Sequence, residues 1–531
     1  MTSTAPREPT SGERPPRDVG GAAGVTPITP HRGERLRWVS LGVLCVTLLI
    51  VSLDNTILNV ALPTIVRDMH ASSSQLQWIV DAYVVVFAGL LLVLGSLGDR
   101  FGRKTVFVAG LAVFAASSAA SAFSTTPDRL ILTRALMGIG SAAIMPSTLS
   151  ILTNLFTDAA DRAKAIGIWS GATGLGVAVG PVAGGWLLAH YWWGSVFLIN
   201  VPIALVGLIV GMFILPPSRN RESRRPDPIG ALLSTAGMAL LLWGIIDAPE
   251  RSWSSPLVMG ALAGGAVLLV AFVEFERRSS HPMLQIALFE KARFSAAMGA
   301  MALVIFALMG ALFVLTQWLQ FSLGYSALQT GLRIAPIAAI LLVAAPLSML
   351  ITRFVGTKPV IFAGMTTIAI GLLLLSRLSV HATFGDALPG FLLIGSGTGL
   401  ALAPCTDSVM GTLPLGEAGV GAATNSAALQ MGAALGVAIL GSLLNTRYEG
   451  RLVPPLSHYA VPKDILQLIL GSLGGALAVA QHVGGSLGRE LAGFAREAFT
   501  SGLDLSMLVA AAVVLGGALI ALLLVPNRAR D

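Results

Sequence analysis

The sequence predicts an all-α polytopic membrane protein, and three observations carry that reading. Of 531 residues, 54% are hydrophobic and only 11% are charged, against about 25% charged residues in soluble domains. Apolar runs of about 20 residues recur along the whole chain, each long enough to cross a hydrocarbon core of about 30 Å as a helix. The runs show no period-two alternation and lipid forbids open strand edges, so the spans are helices and not barrel strands.

Taken from the N-terminus, residues 1–37 are rich in Pro, Gly and Arg and hold no apolar stretch, which reads as a disordered cytoplasmic tail and not a signal peptide. Six spans follow near 38–62, 78–98, 106–124, 130–152, 165–188 and 195–215, filling an N-terminal bundle over 38–218. Residues 219–278 form a linker holding two extra spans, near 229–247 and 256–274. Spans near 295–319, 331–352, 359–377, 388–410, 421–445 and 504–525 make a C-terminal bundle over 279–526, and 527–531 is a short cytoplasmic end. The segment 446–503 carries the apolar, Gly-rich "ILQLILGSLGGALAVAQ" (465–481). As a span it would bring the total to fifteen and strand "NRARD" outside, so an outer loop with short amphipathic helices is expected.

Fourteen spans place both termini in the cytoplasm, and the loop charges agree. About 23 of the 34 lysines and arginines fall on the inner side and about 9 on the outer, with Arg134 and Arg333 inside spans. The net charge of +7 therefore reflects a multi-pass protein of the cell membrane in contact with lipid, not a nucleic-acid footprint. Cys45 and Cys405 both lie in apolar runs, so neither a disulfide framework nor a metal site follows from them.

Asp54 interrupts the first span, in "VTLLIVSLDNTILNVALP" (46–63). A carboxylate at bilayer depth costs about 2.5–3.5 kcal/mol on insertion scales, which makes an intramembrane acid a functional site by default. Arg134 in span 4 is a matching cation. Burial favours a neutral acid while a nearby arginine favours the carboxylate, so such a pair can bind and release a proton. The plainer reading is a structural hydrogen bond from Asp54 to Asn55, Thr56 or Asn59, and for Arg134 a structural salt bridge. Asp81 in span 2 and Asp407 near the inner end of span 12 are further acids that can attract a cation, carry a proton or remain solvated. Arg333 enters span 10 near the outer side, where snorkelling explains it.

Two glycine patterns stand out. In "GSLGDRFGRKTVF" (95–107) Gly98 and Gly102 permit close approach and turning, and Asp99 can pair with Arg103 or a helix N-terminus. A worn copy, "SMLITRFVGTK" (348–358), keeps Arg353, Phe354, Gly356 and Lys358 but replaces the acid with Thr352. Two repeated halves around a central site are the usual plan of secondary transporters. In "GVAVGPVAGGWL" (176–187) Gly176 and Gly180 allow a close helix crossing, Pro181 bends the helix, and Gly184 and Gly185 soften the next turn.

The loop at 95–107 resembles the signature loop of the major facilitator superfamily. "LILTRALMGIGSAA" (130–143) resembles that superfamily's span 4 pattern, with Arg134 at its arginine and Met137 where a glutamine is common. The span 5 string resembles its antiporter mark, and "LDNTILNVALP" (53–63) the first span of its fourteen-span drug:proton antiporters. The resemblance covers essentially the whole chain. It implies a major facilitator fold of two six-helix bundles plus two inserted spans, with Asp54 and Arg134 coupling protons. It further implies that Asp99, Arg100, Gly102, Arg103, Gly176, Gly180, Pro181, Gly184 and Gly185 govern the conformational cycle. Where better-charged relatives carry acids and an arginine in span 13, this chain has Ser426, Leu429 and Gln430. A second coupling acid there is in doubt, which throws weight onto Asp54.

The resemblance implies export of amphipathic, often cationic drugs or antibiotics, with export of one endogenous antibiotic as the alternative. Substrate candidates on spans facing a central cavity are Asp81, Tyr83, Phe87, Phe313, Gln317 and Asp407, while Trp78 and Trp318 are expected at the membrane interface. No G-x-x-x-x-G-K-[ST] loop occurs, so no cofactor beyond a proton gradient is expected; "GDRFGRKT" has arginine where that loop needs its lysine. An embedded enzyme is disfavoured because all seven histidines fall in the tail and the predicted loops and no H-E-x-x-H occurs. A channel is disfavoured by the lack of charge rings and the two-half repeat. The partners expected are small substrates, protons and lipid, with the monomer as the working unit.

Overall fold

The computed structural model describes residues 30–156, 158–216, 227–279, 282, 284–412, 418–459 and 461–525. Those residues form helices and no strands, and fourteen of the helical spans are long and apolar enough to cross a membrane. The N-terminal bundle is α1 (Pro30–Met69), α2 (Ser73–Phe101), α3 (Arg103–Ala122), α4 (Pro127–Leu155), α5 (Ala159–His190) and a last span made of α6 (Ser195–Leu198) with α7 (Asn200–Ile214). The inserted pair is α8 (Pro228–Arg251) and α9 (Pro256–Arg278). The C-terminal bundle is α10 (Ala292–Gln317), α11 (Ala327–Val355), α12 (Thr357–Leu375), α13 (Phe384–Met410), α14 (Ala418–Leu456) and α17 (Gly485–Leu524), with the short α15 (Lys463–Gly471) and α16 (Leu473–Val483) between the last two.

The first helix starts at Pro30, inside the stretch expected to be a tail. The rest of that tail and the expected C-terminal end, 527–531, lie outside the described residues. The segment 446–503 is helical nearly throughout: α14 runs on to Leu456 and α17 begins at Gly485. At 9 and 11 residues, α15 and α16 are too short to cross a hydrocarbon core. Tyr448 ties them down by donating its hydroxyl proton to the Ile469 carbonyl at 2.9 Å.

The worn internal repeat is sharper in three dimensions than in sequence. Both α2 and α11 open on a Ser-x-x-Gln capping box, Ser72 with Gln75 and Ser326 with Gln329, each satisfying two orphan amides of the first turn. Both close on a glycine with positive φ, Gly102 at 119° and Gly356 at 91°, a region from which a β-carbon is largely excluded. The same thirty-residue interval separates cap from glycine in each half.

Within the N-terminal bundle α1 packs on α5, and α4 on α2 and α3; in the C-terminal bundle α10 packs on α14, and α13 on α11 and α12. The halves meet along α5–α11 and α2–α14, and α8 lies against both α2 and α14. Two faces of the bundle can be distinguished by the Gly102 loop: the basic-loop face, which carries it, and the opposite face, which carries α15 and α16. At the opposite face the halves are in contact. Gly331 of α11 sits under the Pro181 carbonyl, a β-carbon at Gly185 would come 2.6 Å from the Ala327 carbonyl oxygen, and Gln320 Nε2 donates to the Val60 carbonyl at 2.8 Å. A β-carbon at Gly474 of α16 would meet both Val66 and Phe321, so the short helices sit over this junction.

Toward the basic-loop face α5 and α11 part company. At Gly174 a β-carbon would still meet Leu342 at 3.3 Å, whereas at Gly171 and Gly167 it would meet nothing within 4 Å. The α5–α11 seam thus widens into a cleft toward the basic-loop face. Trp318 corrects an expectation: it is 1% exposed, inside a π-type turn (Trp318–Ser322) that ends α10, and not at the membrane interface. Its ring fills volume between packed helices.

Candidate functional site

The site is built on a close crossing of α1 and α5. β-Carbons at Gly176, Gly180 and Gly184 would collide with α1 at Leu49 and Ser52, at Thr56, and at Ile57 respectively. With hydrogen in those places, α5 lies directly on the turns of α1 that flank Asp54, and the small-residue spacing serves close approach. The neighbours of Asp54 do not satisfy it. Asn55 donates to the Val51 carbonyl, Thr56 to those of Ser52 and Leu53, and Asn59 to that of Asn55.

Both carboxylate oxygens of Asp54 are instead served from other helices. Arg134 Nη1 lies 2.5 Å from Oδ2, and Asn200 Nδ2 donates to Oδ1 at 3.0 Å. Asp54 and Asn200 are completely buried and Arg134 is 1% exposed. Three further contacts hold the arginine in place. Its Nε donates to the Ile79 carbonyl at 3.1 Å, its guanidinium lies over the Tyr83 ring at 4.2 Å, and Phe197 lies at 5.9 Å. Tyr83 is fixed in turn by donating to Ser141 Oγ at 2.9 Å. Asn200 is fixed by Ser118, whose hydroxyl donates to the Phe197 carbonyl at 2.8 Å and accepts from Asn200 Nδ2 at 3.3 Å. A buried network of this kind holds one acid, one cation and one amide in a single geometry, with only the Asn200 side-chain oxygen lacking a partner among the described residues, and protonation of the acid weakens both bonds that converge on it.

The expected Asp54–Arg134 pair is therefore present. Asn200 and Ser118 were not foreseen, although a lone asparagine in the apolar run "FLINVPIALV" (197–206) is a usable signal. Tyr83, expected to face a cavity, is buried against Arg134, and Phe87 packs beside it with ring centroids 5.8 Å apart. Phe313 and Gln317 are buried too, Gln317 donating to the Phe313 carbonyl at 3.1 Å. Asp407 is exposed in the last turn of α13. Asp81 is completely buried, so the solvated reading fails for it in this conformation.

The loop after α2 is held as its residue types imply. Asp99 Oδ1 and Arg103 Nε are 2.6 Å apart, and Arg103 also donates to the Ser150 carbonyl of α4 at 3.1 Å. Arg100 is exposed with its guanidinium 5.7 Å from the Phe101 ring centroid. Pro181 and Gly185 face α11 across the junction of the halves, so the span 5 motif serves both the α1 crossing and the closed face. Arg333 is half-buried near the opposite face, stacked over Tyr325 at 3.7 Å.

The family model of the Major Facilitator Superfamily matches residues 44–437. The chain is 35% identical over 497 residues to the multidrug efflux pump LfrA of Mycolicibacterium smegmatis, covering 93% of this chain and 97% of that one. It is 34% identical over 502 residues to the tetracenomycin C resistance and export protein of Streptomyces glaucescens, covering 93% of each. Its fold matches the crystal structure of a bacterial homolog of the human lysosomal transporter Spinster with a TM-score of 0.64, at 16% identity and over 95% of this chain and 99% of that one. Fourteen apolar helices, a two-half repeat and relatives along nearly the whole length establish that the chain is a multi-pass membrane transporter belonging to the major facilitator superfamily.

Proposed function

We propose that the protein exports amphipathic, cationic drugs or antibiotics across the cytoplasmic membrane in exchange for protons, by alternating access between its two halves. The observation that carries this reading is the sealed Asp54–Arg134–Asn200 network on the helix that α5 crosses. A proton arriving at Asp54 removes the charge that holds Arg134 and weakens the Asn200 bond. The N-terminal bundle then has a reason to shift α1 against α5 and α11. The reverse follows when the proton leaves.

The basic-loop face is cytoplasmic on this reading, since arginines and lysines concentrate there, and both termini share that side. The cleft then opens to the cytoplasm, where a drug would enter. The relatives support the direction of transport, one being an efflux pump and another a resistance and export protein. Each proton entering down 100 mV supplies about 2.3 kcal/mol, enough for roughly a 50-fold gradient of substrate. The cluster and the cleft both lie within one chain, so a monomer suffices.

The test is substrate-induced proton release from purified protein in liposomes. Wild type should release protons on drug addition, and Asp54→Asn should bind drug without releasing them. Proton exchange by Asp54→Asn equal to wild type would overturn the assignment. A resistance panel in a pump-deficient host then separates a broad exporter, active on several unrelated cations, from one dedicated to a single antibiotic.

A further inference from the structure

Asp81 takes no part in the Asp54 network, yet it is 0% exposed and neither of its carboxylate oxygens has a hydrogen-bond partner among the described residues. Its neighbours along α2 show which way it faces. One turn nearer the opposite face, Gln77 lies against Gly441 of α14, where a β-carbon would come 2.7 Å from its Cδ. Two turns nearer the basic-loop face, Gly89 lies against Thr235 of α8. Asp81 stands between them, at the junction of the N-terminal bundle, the inserted pair and the C-terminal bundle. There Ser442 of α14 donates to the Ile245 carbonyl of α8 at 2.7 Å.

No cation among the described residues pairs with it. Arg134 engages the other side of α2, through the Ile79 carbonyl and the Tyr83 ring, and is committed to Asp54. The charged groups that the packed helices bring to this end are mixed in sign and engaged elsewhere: Asp247 with its partner Arg251, and Glu250, on α8; Glu449 with its partner Asn445, Arg447, which donates to Ser501, and Arg451 on α14; and on α4 Asp128, which accepts from Gln75, and Arg129, which donates to Thr125. From α3 come Arg103 and Lys104, at the far end. An ionised carboxylate sealed in without hydrogen bonds is among the least favourable groups a fold can hold, whereas the neutral acid is tolerated.

We infer that Asp81 is a second proton-binding site, filled whenever the α2–α14 seam is closed and emptied toward the opposite face when the seam opens. The inference rests on the alternating-access reading above but assigns this carboxyl a separate role. Its proton is taken up and returned on one side of the membrane, so it adds nothing to the protons exchanged per drug molecule. It acts as a latch. The closed seam binds one proton more than the open seam, so the closed-to-open ratio falls as pH on that side rises, by up to about tenfold per pH unit.

The test measures the distance between spin labels at His70→Cys and Arg447→Cys, in full-length protein lacking Cys45 and Cys405, from about pH 5 to about pH 8. Wild type should shift from the short to the long distance as pH rises. Asp81→Asn, neutral throughout, should stay short, and Asp81→Glu should restore the pH response. Asp54→Asn should keep that response while losing drug-induced proton release, so failure of the exchange reading registers in the release assay alone. A pH response in Asp81→Asn equal to wild type, no response in wild type, or a changed number of protons per drug in Asp81→Asn would each overturn the inference.

Discussion

Arg134 makes three different kinds of contact at once: an ion pair to Asp54, a hydrogen bond to a backbone carbonyl and a face-on stack with Tyr83. Only a planar fork of donors can do this, and lysine presents a single point charge. Arg134→Lys should therefore lose most drug-induced proton release despite keeping the charge, measured in the same liposome assay. Arg134→Ala leaves Asp54 as an unpaired buried charge, at about 3–5 kcal/mol; reduced yield and lower thermal stability in detergent check that. Asn200→Leu removes a hydrogen bond to a charged group, worth about 1.5–3 kcal/mol. It should loosen the Asp54 network and lower drug-induced proton release, measured in the same liposome assay.

At the scale of the helix, the span 5 glycines divide into two jobs. Gly176, Gly180 and Gly184 lie on α1, inside the N-terminal bundle, while Gly185 and the Pro181 carbonyl face α11 across the two halves. Substitutions should divide the same way. Gly180→Val pushes α5 away from Thr56 and should disturb the Asp54 network, lowering coupled transport and stability together. Gly331→Ala instead places a methyl group against the Pro181 carbonyl, which prises the opposite face apart. It should increase labelling of a cysteine placed at that seam while leaving the fold intact. The positive φ of Gly102 and Gly356 makes a third element-scale test. Alanine at either should cost about 1–3 kcal/mol of backbone strain and slow the transport cycle, measured as initial export rate.

For the molecule as a whole, the proposed proton exchange requires that export stop when the gradient is collapsed. A proton ionophore should abolish drug export from loaded cells, and depletion of ATP at maintained gradient should leave it running, as measured by drug retention. The molecule's duplicated plan supports the proposed closure of one face and opening of the other. The capping boxes and the positive-φ glycines recur at equal spacing in both halves, so α2 and α11 are equivalent levers. The inserted α8 packs on α2 and α14 together, which places the extra pair beside the α2–α14 seam.

The number of spans, the helical fold class, the family and the Asp54–Arg134 pair were legible in the chain because each depends on quantities read one segment at a time. Transfer free energy sums residue by residue, and a lone acid or arginine in an apolar run stands out without reference to anything distant. What only the tertiary structure decided concerns which helix faces which. Asn200 meets Asp54 across 146 positions of chain. Tyr83 turned out to serve Arg134 and not a cavity, and Trp318 is packed in the interior although its residue type favours an interface. The short helices expected between the last two spans rest on Tyr448 and the end of α1, contacts that no local pattern announces. Asp81 shows the difference most plainly. Its sequence position one turn into a predicted span is equally compatible with water and with burial, and only the meeting of α2, α8 and α14 removes the water.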